Sequence, residues 1–139
     1  MKIINNHLEN IKNKIYNNLV RDNTIKYYQP NITIDYRIKD TNKIFKKTMR
    51  NKTFPKDVVG FRIIVDHENN ILPFNVLRNI ELNYKVFPET YKNYITNKKS
   101  NDYQRLHICA YIDNVFLEIQ IRTAEMDYCA NFGKASNYH

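Results

Sequence analysis

The sequence predicts an α/β (α+β) fold, a mixed β-sheet flanked by helices, and three observations carry that prediction. Apolar residues near the N-terminus recur at three- and four-residue spacing, the mark of an amphipathic helix. Further along, apolar and polar residues alternate in short runs, the mark of strands with one covered face. The two patterns interleave in the order αβαβαββα, which requires a sheet with helices packed on it.

The first helix is predicted over about residues 3–20, with Ile4, Leu8, Ile11, Ile15 and Leu19 on one stripe. After Pro30, the alternation of Ile32, Ile34, Tyr36 and Ile38 predicts a strand. Asp40 and Thr41 are candidate N-caps for a short helix carrying Lys43, Ile44, Lys47 and Arg50. Phe61 to Val65, following Asp57 and Gly60, is a compact apolar run and reads as a buried strand. Pro73 can open another helix, with Phe74, Leu77, Ile80 and Leu82 inward. Tyr91 to Asp102 is polar and basic and reads as a loop. Leu106 to Ile112 and Val115 to Ile121 are the arms of a hairpin across Asp113-Asn114. A last helix is expected from about Thr123 to the chain end.

At 139 residues the size fits a single domain, residues 1–139, large enough for one core. The formal net charge of +8 favours polyanionic partners such as nucleotides, nucleic acid or an anionic surface, or else marks a solvated Lys-rich exterior. Cys109 and Cys129 lack metal-type spacing and read as reduced, buried residues of a cytoplasmic protein. No run approaches the ~20 apolar residues of a membrane span, and Asn and Lys interrupt the N-terminus where a signal peptide would be apolar.

Four groups of residues carry candidate chemistry. Glu118, Gln120 and Arg122 alternate along the apolar run from Phe116 to Ile121, so all three share one face of the sheet. Burying three such groups is costly unless something binds there. Asp57, just before a buried strand and followed by Gly60, can hold Mg²⁺ or simply occupy a strand-entry turn. Paired with Glu118 from a second strand, it supplies the two acids that a magnesium site for phosphate transfer needs. Arg37 and Lys39 share a strand face, while Lys43, Lys47 and Arg50 share a helix stripe. They can converge on one polyphosphate, or form an ordinary basic surface. Lys92 to His107 is a basic segment with Tyr94 and Tyr103, suited to stacking a nucleobase. His107 alternates inward and fits a satisfied core histidine as well as a ligand.

In order and spacing these segments resemble the synthetase domain of the RelA/SpoT family, which makes the alarmones ppGpp and pppGpp. The family's Arg-x-Lys, Ser-Ile and Lys pattern is similar to Arg37-Ile38-Lys39 through Lys43-Ile44 to Lys47. Its Asp-x-x-Gly-x-Arg resembles Asp57 to Arg62, and its Lys-Asp-Tyr-Ile…Asn-Gly-Tyr-Gln-Ser-Leu-His resembles Lys92 to His107. Its Glu-x-Gln-x-Arg-Thr matches Glu118 to Thr123 at every defined position. The resemblance covers about residues 30–137. It implies a nucleotidyltransferase-like fold and Mg²⁺-dependent pyrophosphate transfer from ATP to the 3′-hydroxyl of GDP or GTP. It also implies that Arg37 and Arg62 sandwich the adenine, and that Lys39, Lys47 and Arg50 hold the ATP phosphates. Asp57 and Glu118 would hold the metal, with Glu118 also activating the hydroxyl. Tyr103 would stack on guanine, with Lys99, Asn101, His107 and Gln120 around the acceptor. Short family members often assemble, so the resemblance allows a homo-oligomer, although the sequence does not fix the oligomeric state.

The sequence departs from the family at Lys43 (usually Ser), Asn93 (Asp), Asp102 (Gly) and Arg105 (Ser), and Asn131 and Asn137 replace an acid and a His in the last helix. It therefore reads as a short, stand-alone synthetase or the remnant of a longer gene. Three other readings remain: a non-catalytic nucleotide binder of the same fold, an enzyme pyrophosphorylating tRNA, and a basic RNA-binding module.

Overall fold

The computed structural model describes residues 2–39, 58–97 and 104–132. The expected helix of Lys43, Lys47 and Arg50 lies outside them, as do Asp57, Lys99, Asn101, Asp102 and Tyr103. Within them the chain forms α1 (Lys2–Arg21), α2 (Asn23–Tyr28), β1 (Asn31–Lys39), β2 (Val58–Asp66), α3 (Leu72–Asn83), β3 (Lys85–Asn93), β4 (Leu106–Ile112), β5 (Val115–Thr123) and α4 (Ala124–Phe132).

The strands make one mixed sheet in the order β1-β2-β5-β4-β3, with β2 and β5 parallel and the other pairs antiparallel. The hairpin turn falls at Asp113-Asn114 as expected. Both residues have positive φ (49° and 68°), the left-handed geometry that matches the twist of the strands and that Asp and Asn tolerate. Asp113 also anchors α1 against the turn: its carbonyl accepts from His7 Nε2 at 2.8 Å and its carboxylate pairs with Lys14 Nζ at 2.7 Å.

One sheet face carries the core. Leu8, Ile11, Ile15 and Leu19 of α1 are buried against it, as are Val76, Leu77 and Ile80 of α3. From the sheet, β2 contributes Val59, Phe61, Ile63 and Val65, and β5 contributes Leu117, Ile119 and Ile121. The Tyr36 hydroxyl crosses from β1 to donate to Glu9 Oε2 of α1 at 2.9 Å. Burial, then this hydrogen bond to Glu9, raises the hydroxyl above the ordinary tyrosine value, so it stays a donor. Asp22 caps α2, accepting from the amides of Thr24 and Ile25, and also accepts from Asn79 Nδ2 at 3.0 Å, tying α3 to the α1–α2 corner.

Several expectations need correction. The chain from Lys85 to Asn93 is a strand, so the segment expected to be a loop from Tyr91 begins as an edge strand. A register shift between Phe87 and Lys92 spans Pro88, and there Thr90 Oγ1 accepts from the Cys109 amide at 2.9 Å while donating to the Phe87 carbonyl. Leu82 is 73% exposed rather than inward. It lies two residues beyond Ile80, about 200° around the helix from it. Cys109 is buried but Cys129 is exposed.

Candidate active site

The face of the sheet opposite the core is assembled from the alternate residues of each strand. The register aligns them in two rows. One row runs Arg37, Gly60, Glu118, Cys109 across β1, β2, β5 and β4. The next runs Asp35, Arg62, Gln120, His107. Glu118, Gln120 and Arg122 thus share a face, as their spacing requires, and Arg37 and Arg62 join them from neighbouring strands. His107 belongs to this face too, not to the core: Leu106 and Ile108 take the inward positions, so its imidazole points away.

The first row is interrupted where Gly60 lacks a side chain. A depression of about 430 Å³, open to solvent, lies there, bordered by Asp35, Arg37, Arg62, Glu118 and Gln120, with Tyr36 and Phe61 also lining it. The φ of Gly60 is not positive. Its role is spatial, because a Cβ at this point would fill the hollow between the Arg37 guanidinium and the Glu118 carboxylate. The hollow has Arg37 and Arg62, with the Asp35 carboxylate beside them, on the β1–β2 side and a carboxylate and an amide on the β5 side. Such a lining can grip an anionic ligand at one end and accept a proton at the other.

Of the residues expected to serve this site, the structure brings Arg37, Arg62, Glu118 and Gln120 around one hollow and sets His107 beside Gln120. Lys39 ends β1. Asp57, Lys47, Arg50, Lys99, Asn101 and Tyr103 lie outside the described residues. Arg105 places its guanidinium 4.9 Å from the centre of the Tyr94 ring, a cation–π contact, and its carbonyl accepts from the Tyr94 amide at 2.9 Å. One face of Tyr94 is therefore already occupied.

Sequence reasoning missed Asp127. It lies on α4, which covers one end of the site face, and its Oδ1 is 3.1 Å from Arg122 Nε and 3.4 Å from Arg62 Nη1. The carboxylate thus bridges a buried guanidinium and a half-exposed one that borders the hollow. The legible signal was an acid five residues after Arg122 and about one helical turn past Thr123, which caps the helix by accepting from the Met126 amide. Asp127→Ala is expected to lower stability by about 2 kcal/mol in chemical denaturation, below the ~3–5 kcal/mol of a fully buried pair because Asp127 is partly exposed. It should also weaken any ligand that Arg62 holds. An unchanged midpoint would show that the bridge does not support this end of the sheet.

Among the described residues no helix is long and apolar enough to cross a membrane. A profile of the region found in RelA / SpoT proteins matches residues 36–139. Over 110 residues the chain is 39% identical to guanosine-3′,5′-bis(diphosphate) 3′-pyrophosphohydrolase of Borreliella burgdorferi, an alignment covering 76% of this chain but 16% of that protein. The chain thus spans about a sixth of that curated relative's length. Small alarmone synthetase 2 of Bacillus subtilis superposes with a TM-score of 0.65 at 24% identity, over 94% of this chain and 75% of that one. Small alarmone synthetase 1 of the same organism, bound to its product pppGpp, superposes with a TM-score of 0.60 at 20% identity, over 96% and 75%. The five-stranded mixed sheet with its flanking helices is therefore the small alarmone synthetase fold. With the profile match running from β1 to the last residue, the chain belongs to the RelA/SpoT family.

Proposed function

We propose that this chain is a (p)ppGpp synthetase, transferring pyrophosphate from ATP to the 3′-hydroxyl of GDP or GTP. The observation that carries the reading is the Gly60-floored hollow with Arg37 and Arg62 on one side and Glu118 and Gln120 on the other. The family to which the chain belongs supports it, as does the solved relative that holds pppGpp. A cytoplasmic location, where both nucleotides are found, goes with this reading.

In the proposed reaction the 3′-oxygen of the acceptor attacks the β-phosphorus of ATP, the bond from that phosphorus to the α,β-bridging oxygen breaks, and AMP leaves. The hydroxyl proton passes to Glu118. Arg37 and Arg62 hold the adenine between their guanidinium planes, while Lys39, Lys47 and Arg50 bind the phosphates. Such a transfer is driven by positioning and charge stabilisation more than by covalent chemistry; the clamped adenine and the base supply the first, and the cations on the phosphates supply the second. The hollow suits Mg²⁺ on its Glu118 side, where a carboxylate oxygen, the hard donor this ion prefers, borders space left by Gly60. Asp57 and Glu118 would hold the ion, which neutralises polyphosphate charge when bound. On the acceptor side Tyr103 stacks on guanine, with Lys99, Asn101, His107 and Gln120 around the nucleotide.

The test is to incubate the purified chain with Mg²⁺, labelled ATP and GDP, GTP or tRNA in turn, and to resolve the products. Labelled guanosine tetra- or pentaphosphate is expected. Label on tRNA would move the acceptor, and no product from a folded chain that binds ATP would leave a nucleotide binder. Tyr103→Ala should raise KM for the guanine nucleotide by about tenfold or more, the ~1–3 kcal/mol of one stacked base, and leave that for ATP nearly unchanged. Equal effects on both substrates would remove the stacking role.

A further inference from the structure

Next to the hollow, the same sheet face sets a thiol that pyrophosphate transfer does not call for, Cys109, beside two residues given roles in that transfer. His107, Cys109 and Glu118 each offer a ligand atom, and these atoms all lie within 4.8 Å of one another. The register makes this unavoidable: Cys109 sits directly across from Glu118, and His107 is two residues away on the same face of β4. His107 Nε2 and Cys109 Sγ are 3.8 Å apart. With Zn–S near 2.3 Å and Zn–N near 2.0–2.1 Å, that separation corresponds to an S–Zn–N angle of about 120°, close to tetrahedral.

The donor types discriminate among metals. A thiolate and an imidazole are poor partners for Mg²⁺ and good ones for Zn²⁺ and similar thiophilic ions. The surroundings fix the thiol in place. Cys109 is 4% exposed, its amide donates to Thr90 Oγ1, and the rings of Phe87 and Phe116 meet across β4 with centroids 5.6 Å apart. Three protein donors, one of them the half-exposed Glu118 that also lines the hollow, would leave a fourth coordination position for water, as in open zinc sites.

We propose that His107, Cys109 and Glu118 form a binding site for Zn²⁺ or a like thiophilic divalent cation, and that its occupancy withdraws Glu118 from pyrophosphate transfer. Binding forms bonds from the metal to Nε2, Sγ and a carboxylate oxygen, displaces water from the ion and releases the thiol proton to solvent. The inhibitory half rests on the function proposed above, whereas the binding half stands on the geometry alone.

Cobalt(II), a spectroscopic substitute for zinc, separates the two. Titration of the whole chain with Co²⁺, under a non-thiol reductant, should develop a thiolate-to-metal charge-transfer absorption that saturates at one equivalent. The band should vanish in Cys109→Ala and persist in Cys129→Ala, whose thiol is exposed and elsewhere. Zn²⁺ competition against a chelating dye should show His107→Gln and Cys109→Ala each weakening the metal by more than the ~10–100-fold typical of losing an outer partner. Circular dichroism confirms that each variant is folded. No charge-transfer band in wild type, or one that depends on Cys129, overturns the site. In the transfer assay, Zn²⁺ added over saturating Mg²⁺ should inhibit wild type at least tenfold more strongly than Cys109→Ala, each measured against its own rate with Mg²⁺ and no Zn²⁺. Equal inhibition of the two overturns the regulatory half. A Cys109-dependent band in a chain that transfers to no acceptor upholds the site and sinks the synthetase reading, while normal transfer with no band sinks only this inference.

Discussion

Glu118→Gln is expected to lower kcat by about three orders of magnitude while leaving the thermal midpoint nearly unchanged. The carboxylate is the proposed base, and loss of a positioned base costs ~10²–10⁴-fold in rate. Loss of a metal ligand at the same atom puts the change toward the upper part of that range. Gln has the same shape and keeps an acceptor oxygen, and position 118 is half-exposed on the open face rather than packed in the core. Its stability effect should therefore fall within the ~0.5 kcal/mol typical of surface changes. The paired measurements are single-turnover transfer from labelled ATP and a thermal melt. Wild-type turnover in the variant would remove Glu118 from the chemistry, and a large fall in the midpoint would make it a structural residue.

Phe61→Ala should cost about 3–5 kcal/mol of stability, the range for truncating a buried aromatic. Phe61 is 1% exposed on β2, its ring stacks on Tyr36 at 5.3 Å and 24°, and Ile119 lies beside it on β5. Set against the ~5–15 kcal/mol that holds most domains, this is a large fraction. The residue also lies between Gly60 and Arg62, so relaxation into the cavity should displace the floor of the hollow and weaken ATP binding as well. Denaturant unfolding and calorimetric titration with ATP read the two effects. Phe132→Ala is the control, since that ring is 74% exposed and should cost little. A loss under about 1 kcal/mol at Phe61 would mean that the packing on this strand is not what holds the sheet.

The sequence made the site strands legible because one face of each is covered. With the core fixing parity, Glu118, Gln120 and Arg122 had to share the opposite face, and the Asp113-Asn114 turn set the register that brings β4 to them. The strand β3 was not legible for the converse reason. It lies at an edge, most of its residues are partly or fully exposed, and Pro88 breaks its ladder, so no alternation survives to be read. His107 was assigned inward because alternation gives a period without saying which phase is buried. The partnership of Asp127 with Arg62 and Arg122 depends on how α4 lies across the sheet, which no local pattern encodes. The candidate site is therefore only half framed by the described residues: its β2 and β5 walls are in place, while Asp57 and Tyr103 belong to segments outside them.

The strand order carries a consequence for biosynthesis. Among the described residues the last strand to leave the ribosome, β5, is the middle one of the sheet, flanked by β2 and β4. Until it emerges, β1 and β2 form a hairpin whose inner edge, Val59 to Val65, offers unpaired amides and carbonyls along an apolar strand. The nascent chain must hold that edge open while β5, distant in sequence, is still being translated, and pairing across such a separation is slow. Translation pauses or premature termination just upstream of Val115 would leave two separate strand pairs, β1–β2 and β4–β3, each with an unpaired adhesive edge where β5 belongs. Their fate would be aggregation or capture by a chaperone rather than a smaller folded product.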